Sequence, residues 1–588
     1  MRRLVALSLL LVTLAGCASD DADTAPAPVR TVYDDHPELV SEVQPESFSV
    51  FPGNYSFNNP LGGSVTLHPG WFGISQVTSV VLTSELDGVD IDLSYWLPTK
   101  SHETDEPGPV PVIIQASPYF PATDAPAGSQ NFGQWMHDVF VPHGYAYVQL
   151  AIRSTAGSGG CDDFRGPNMN ADMSQAIDWI VAQEWATESV ALIGKSYPGS
   201  TPWYAAGTGN PHVKTIVPVS GSTNAWEVYN RNGTPESRAA IIVPNYGATA
   251  ATNTDRSLDH KVENFACTEV YQSWANGVTS GVTGERITDD WWDARNSKPA
   301  VEANYEGSIL LVHGLEDWNV DPAVAIPWTQ DLADRGLKVK QFLGQWAHDH
   351  PDQGTESTKR YDWAEILLRW FDSELKGLDV DTGPTVQVQS NDGRWRDELD
   401  WPPKDADMRT LYLARGTLNR EAPTLDNDLL MAAPGTGPLR GGPVLDYVLP
   451  VEEDLRIAGL PLVHLDVMPQ GPSGYFGATL YDRAPDGTQQ RIGWTGMNLR
   501  YADGTETAQV VVPREWMTAK AQLQPLDAFV PAGHELVLRI GLAETPSDRV
   551  VPPGAGVPMG VGYGPDRSVL VLPIVDRDEA AFFEPPMP

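Results

Sequence analysis

The residues best able to do chemistry lie in Ala191–Trp203, ALIGKSYPGSTPW. An apolar run ends in Gly194-Lys195-Ser196-Tyr197-Pro198-Gly199 and passes into residues that can open a helix. Gly194 and Gly199 bracket Ser196 as G-x-S-x-x-G, a variant of the G-x-S-x-G nucleophile elbow. A serine on a strained strand-to-helix turn lifts its Oγ above a sheet, and small flanking residues let the backbone pass close to itself. The free N–H groups of the following helix then point to where negative charge develops. An ordinary Gly-Ser loop has the same composition, so the assignment needs partners elsewhere in the chain.

A serine hydroxyl is a weak nucleophile until a base takes its proton, and that base is commonly a histidine oriented by a carboxylate. On α/β sheets of this kind the chain order is serine, acid, histidine. Two later segments fit. Ile309–Pro322, ILLVHGLEDWNVDP, reads as a buried strand and a loop carrying Asp317. Gln341–His350, QFLGQWAHDH, reads as a strand and a loop carrying His348. Glu316 and Asp321 compete with Asp317 as the acid, and His313 and His350 compete with His348 as the base. Both loops follow strand ends, the rim at which active sites of open α/β sheets lie. Arg153-Ser154-Thr155 with Gly157-Ser158-Gly159-Gly160 lacks the Lys-Ser/Thr ending of a phosphate loop and reads as structural. With no H-E-x-x-H, C-x-x-C or dinucleotide pattern, no metal and no cofactor is expected.

The elements that must position these residues follow from periodicity. Val77–Ser84 and Val89–Leu97 alternate and turn at Asp87-Gly88, a hairpin. Val110–Gln115, Ala146–Ala151, Val190–Ile193, Val213–Val219 and Ile309–Val312 are apolar runs suited to buried parallel strands. Met169–Gln183 and Asp362–Leu375 have helical spacing, the second closed by Gly377. Strands alternating with helices predict a doubly wound α/β sheet with right-handed crossovers. Between Gly221 and Ala303 aromatics crowd in, among them Trp226, Tyr229, Trp291 and Trp292, which predicts a helical cap inserted between core strands. After Pro384 the pattern turns to short strands (Val386–Gln389, Thr410–Leu413, Leu460–Val467, Phe476–Asp482, Gln509–Val512, Glu535–Ile540), as in a sandwich or jelly roll. The expected division is a signal segment over 1–17, a tether and lead segment over 18–76, core over 77–222 and 304–378, cap over 223–303, and β domain over 379–588.

A chain of 588 residues can hold two or three domains, and its net charge of −38 repels phosphate backbones, so nucleic acid is not an expected partner. Arg2 and Arg3 precede the apolar run Leu4–Leu14, which is too short to span a bilayer and ends in Leu14-Ala15-Gly16-Cys17. That tetrapeptide resembles a bacterial lipoprotein signal, in which the cysteine becomes the lipidated first residue. It implies an exported, membrane-anchored protein. Ala18–Arg30 is acidic and Pro/Ala-rich, a tether. Cys161 and Cys267 would then meet an oxidising compartment, where a disulfide between them is a structural expectation.

Three motifs carry a wider resemblance: Gly194-Lys195-Ser196-Tyr197, His313-Gly314-Leu315-Glu316-Asp317-Trp318-Asn319-Val320, and Trp346-Ala347-His348. From Val77 onward the chain resembles the α/β-hydrolase family of serine hydrolases that includes Xaa-Pro dipeptidyl-peptidases, bacterial cocaine esterase and certain β-lactam acylases. The resemblance implies Ser196 as nucleophile, Asp317 as acid and His348 as base. It also implies an oxyanion hole made by the Tyr197 backbone N–H and by the hydroxyl of Tyr119, which follows the VPVIIQA strand. The Asp-Trp-Asn-Val loop and Trp226–Gly233 lean towards Xaa-Pro cleavage, with Trp226 and Tyr229 as an aromatic slot for a pyrrolidine ring. Proline-containing peptides are the expected substrates. An ester or amide acylase is the alternative, and a non-catalytic surface binding protein a second one. A dipeptidase must also hold a free amino terminus, and Glu227, Glu236, Asp255, Asp259, Glu263, Glu269 and Glu285 of the cap are candidates.

Overall fold

Strands that are apolar at nearly every position must be covered on both faces, which draws helices onto both sides of a sheet. The computed structural model describes residues 49–51, 55–56, 72–101, 106–120, 133–234, 290–353, 355, 357–430, 444–504, 508–542, 556–576 and 582–583. The hairpin strands β1 (Thr78–Thr83) and β2 (Asp90–Trp96) run antiparallel, and β2 borders the parallel series. That series comprises β3 (Val110–Ser117), β4 (Ala146–Ala151), β5 (Ala186–Lys195), β6 (Val213–Val219), β7 (Ser308–Gly314), β8 (Val339–Gly344) and β9 (Val386–Gln389). The order across the sheet is β1-β2-β4-β3-β5-β6-β7-β8-β9, continued by antiparallel β10 (Trp395–Glu398) and β11 (Phe582–Phe583).

Alternation along the strands splits the core into two layers. Val112 and Ile114 of β3 join Leu192 of β5 in one layer with α2 (Pro167–Val181) and α3 (Tyr197–Gly207). Ile113 and Ile193 join the other layer with α1 (Gly133–Phe140) and α4 (Trp363–Lys376). Gly377, with φ 66°, ends α4 as a left-handed cap. The chain leaves β3 outward to β4 and returns to β5 on the other side of β3. This reversal opens a crevice at the carboxyl ends of β3 and β5.

The C-terminal part is a strand-rich β-sandwich whose pairings are almost all antiparallel, around a core that includes Leu413, Ile457, Leu465, Phe476 and Leu538. Three expectations change. Val386–Gln389, read as a sandwich strand, pairs parallel with β8 and extends the α/β sheet, as do β10 and the returning segment Phe582–Phe583. A four-residue alternating strand has the same pattern in either sheet, and only its partners distinguish them. Gln509–Val512 is not a strand; the neighbouring strand is Met517–Gln522, paired with Leu462–Pro469. The run Lys298–Asn304, assigned to the cap, is a helix packed on α3, where a Cβ on Gly207 would meet Ala300 at 3.1 Å. Most of the expected cap, the candidates Glu236, Asp255, Asp259, Glu263, Glu269 and Glu285, and the signal and tether segments lie outside the described residues.

One buried carboxylate joins the two sheets. Asp527 of the sandwich, 1 % exposed, accepts from Arg396 Nη1 at 2.9 Å, from Arg456 Nη2 at 2.7 Å and from Ser390 Oγ. Arg456 also pairs with Glu398 of β10 at 2.9 Å. Burial alone would raise the Asp527 carboxyl, but the Arg456 and Arg396 guanidinium groups hold it below its ordinary value. Removing one partner of a buried ion pair strands the other charges, at about 3–5 kcal/mol. Asp527→Ala is therefore expected to lower unfolding stability in denaturant by about that amount; a midpoint matching wild type would contradict this role.

Candidate active site

Strand β5 ends at Lys195 and α3 begins at Tyr197, so Ser196 alone makes the turn, with φ 68° and ψ −121°. A side chain at positive φ is strained, and such strain persists only where neighbours impose it. Here the Ser196 N–H donates to Val219 O at 3.0 Å, and Ser196 O accepts from the Ser200 N–H at 2.9 Å. The two glycines of the motif have different duties. A Cβ on Gly194 would lie 2.5 Å from Pro198 within the same turn, and one on Gly199 would lie 2.2 Å from Val219 O on β6. The motif spacing thus reflects a turn pressed against both itself and the adjacent strand.

The acid and base leave neighbouring strands. Asp317 follows β7, is fully buried, and accepts the N–H groups of Asn319 and Val320 on Oδ1 at 2.8 and 2.9 Å. His348 follows β8, and its Nδ1 lies 2.8 Å from Asp317 Oδ2. His313, on β7 itself, donates Nε2 to Val320 O at 2.9 Å and sits 3.5 Å from Asp317 Oδ2. Burial would raise the Asp317 carboxyl, but the His348 charge, the nearby His313 imidazole and the His348 bond outweigh it and hold the group well below its ordinary range. His348 Nε2 is buried and makes no hydrogen bond among the described residues, Ser196 Oγ included. Serine–base bonds of resting enzymes are commonly long and tighten on substrate. Lys195, beside the serine, donates Nζ to the His348 main-chain carbonyl at 3.0 Å and thereby ties the base loop to the serine strand.

The competitors have other partners. Glu316 pairs with Arg491 of the sandwich at 3.4 Å, and Asp321 with Arg231. His350 is fully buried, and burial, then the Lys195 and His348 charges, push it well below the usual imidazole range. Tyr197 is the first residue of α3, and its N–H is the first after the serine. Tyr119 lies just past β3, half-buried against the core, with its N–H on Ser117 Oγ at 3.0 Å. Trp226 and Tyr229 are each 3 % exposed and belong to the packed core, Trp226 edge-on to Trp292 and Tyr229 against Phe164. Glu227 pairs with Lys298 at 2.8 Å. Sequence reasoning missed Lys195, Arg231 and the sandwich residue Gln524, whose Nε2 donates to the Asp317 main-chain carbonyl at 3.2 Å. Lys195 stands inside a recognised motif, whereas Gln524 has no local signal.

A serine elbow, an aspartate–histidine pair and a shared rim on an α/β-hydrolase sheet define a serine hydrolase. The sequence profile of the X-Pro dipeptidyl-peptidase (S15 family) matches residues 87–350, and that of the X-Pro dipeptidyl-peptidase C-terminal non-catalytic domain matches residues 379–555. The chain thus carries a peptidase S15 domain followed by the C-terminal domain that accompanies it in X-Pro dipeptidyl-peptidases. A Bacillus anthracis protein provisionally named as an Xaa-Pro dipeptidyl-peptidase is 26 % identical over 526 residues, covering 80 % of this chain and 83 % of the relative. A CocE/NonD family hydrolase from Staphylococcus aureus shares the fold, with a TM-score of 0.69, 15 % identity, and coverage of 87 % of this chain and 95 % of the other. An aminopeptidase from a marine sediment archaeon, Thaumarchaeota archaeon, shares it with a TM-score of 0.66, 17 % identity, and coverage of 91 % and 100 %.

The loop behind Tyr197 adds a pH signature. Cys161 is disulfide-bonded, and the remaining cysteines, Cys17 and Cys267, lie outside the described residues. Asp162 beside it accepts from the Phe164 N–H at 2.8 Å and from the Tyr197 hydroxyl at 3.2 Å. Burial, then the Asp163 charge, push Asp162 from 3.8 up to about 7, against the pull of those bonds and of Arg165. The folded state therefore holds a proton that the unfolded chain has lost. Stability from Asp162 is fully present below about pH 4 and is lost as pH rises through about 7. The melting temperature of wild type relative to Asp162→Asn is expected to fall across that window. A constant difference would contradict it.

Proposed function

We propose that this protein is an exported serine peptidase that releases Xaa-Pro dipeptides from peptide N-termini through an acyl-enzyme. The observation that carries the chemistry is the buried Asp317–His348 bond, which leaves His348 Nε2 unpartnered among the described residues, at the rim where Ser196 turns. In the first step Ser196 Oγ attacks the carbonyl of the proline residue while His348 Nε2 takes the hydroxyl proton. Asp317 fixes the imidazole tautomer and offsets the imidazolium charge. The tetrahedral oxygen accepts from the Tyr197 N–H and the Tyr119 hydroxyl. Collapse expels the peptide amine, which receives the proton from His348. Water then hydrolyses the ester by the same proton path in reverse and releases the dipeptide.

The proline preference is supported by the matched family and by the names its relatives bear. Trp226 and Tyr229 serve as the backing of the proline slot, held by Trp292 and Phe164. The tetrapeptide ending at Cys17 supports a lipid anchor at the outer face of a membrane.

A panel of Ala-Pro, Gly-Pro and Ala-Ala anilides beside butyrate and benzoate esters tests this reading, with Ser196→Ala and Tyr119→Phe run in parallel. Proline anilides are expected to be turned over fastest. Ser196→Ala is expected to lose about 10⁴-fold or more in kcat, and Tyr119→Phe about 100- to 1000-fold in kcat with little change in KM. Fast ester turnover with idle proline anilides would make the protein an acylase. Activity retained in Ser196→Ala would end the mechanism.

A further inference from the structure

The two loops that carry the acid and base are tied, through main-chain atoms, to one short stretch of the C-terminal domain. Leu523-Gln524-Pro525 joins the sandwich strands Met517–Gln522 and Leu526–Val530. Gln524 is 2 % exposed; its backbone N–H donates to Trp494 O at 3.1 Å and its side-chain Nε2 to the Asp317 carbonyl at 3.2 Å. Arg231 donates to the carbonyls of Gln522 and Leu523 at 3.1 and 3.0 Å and also to the Asp321 carboxylate, four residues beyond the acid. On the base side, Gln345 Nε2 donates to the Asp527 carbonyl at 3.3 Å, three residues before His348.

Asp317 is oriented locally by two N–H groups of its own loop. Those bonds fix the carboxylate within the loop. They do not fix the loop relative to the imidazole, which hangs from a different strand. A misplacement of about 1 Å at a catalytic group can cost about 100-fold in rate. The Gln524 amide grips the main chain of the acid residue itself, from a domain that also grips the base loop.

We propose that Gln524 is a positioning residue of the catalytic centre. Its amide holds the Asp317 main chain where the carboxylate meets His348, so the strand-rich domain completes the acid–base pair. This rests on the assignment of Ser196, His348 and Asp317 above. It differs from simple cohesion between domains, which the Asp527 cluster supplies.

The test compares full-length wild type, Gln524→Met and Ser196→Ala, with active sites counted by fluorophosphonate titration so that unfolded protein drops out. Methionine keeps the length and apolar bulk of the side chain but cannot donate. Per titrated site, Gln524→Met is expected to lose about 10- to 100-fold in kcat with KM within about twofold. The low-field proton resonance of the His348 Nδ1–Asp317 bond is expected to shift or vanish, a change that lost cohesion alone would not produce. A wild-type kcat per titrated site with an unmoved resonance would overturn the inference. If that occurs while Ser196→Ala is inactive, only this inference fails. An active Ser196→Ala would instead sink the reading beneath it.

Discussion

An ionised carboxylate shut away from bulk solvent is among the most costly things a fold can hold, and this one depends on such a group. Asp317 is tolerated because donors surround it: two N–H groups of its own loop and the His348 imidazole, with His313 close by. The same contacts keep the histidine in one tautomer and leave its far nitrogen for a proton in transit. A base so arranged needs no rearrangement of water when charge develops, which is the advantage of a preorganised site.

Keeping that bond requires distant parts of the chain. The reversal of strand order at β3 and β5 brings the Tyr119 loop and the Ser196 turn to one crevice. Parallel pairing of β7 with β8 puts the acid and base loops side by side, since Gly314 and Gly344 end their strands in register. The serine turn is strained, and contacts from β6 and α3 keep it so. Beyond the sheet, the sandwich meets the acid loop through Gln524 and Arg491, and the sheet edge through Arg456 and Asp527. The position of the acid is thus shared between two domains.

Much of this was readable in the residues. Apolar runs such as Val110–Gln115 and Ala146–Ala151 are too short for most helices and apolar at nearly every position, as strands covered on both faces are, and both became strands of the sheet. The elbow glycines were legible because the turn has no room for a Cβ. Spacing alone could not separate Asp317 from Glu316 and Asp321, since what separates them is a partner: His348 for one, and for the others arginines at 491 and 231. The strand Val386–Gln389 was misplaced for the same reason, as its neighbours come from residues 339–344 and 395–398. Gln524 was invisible because one hydrogen bond across 207 positions leaves no periodicity behind.

The central claim is that the Asp317–His348 pair makes the Ser196 hydroxyl nucleophilic. The direct measurement is the rate and site of covalent modification by a fluorophosphonate, located by peptide mass mapping, in wild type and in a folded Asp317→Asn variant. The account predicts a single adduct on the peptide containing Ser196, formed far more slowly once the carboxylate is gone. An adduct on another residue, or equal rates in the two proteins, would contradict it.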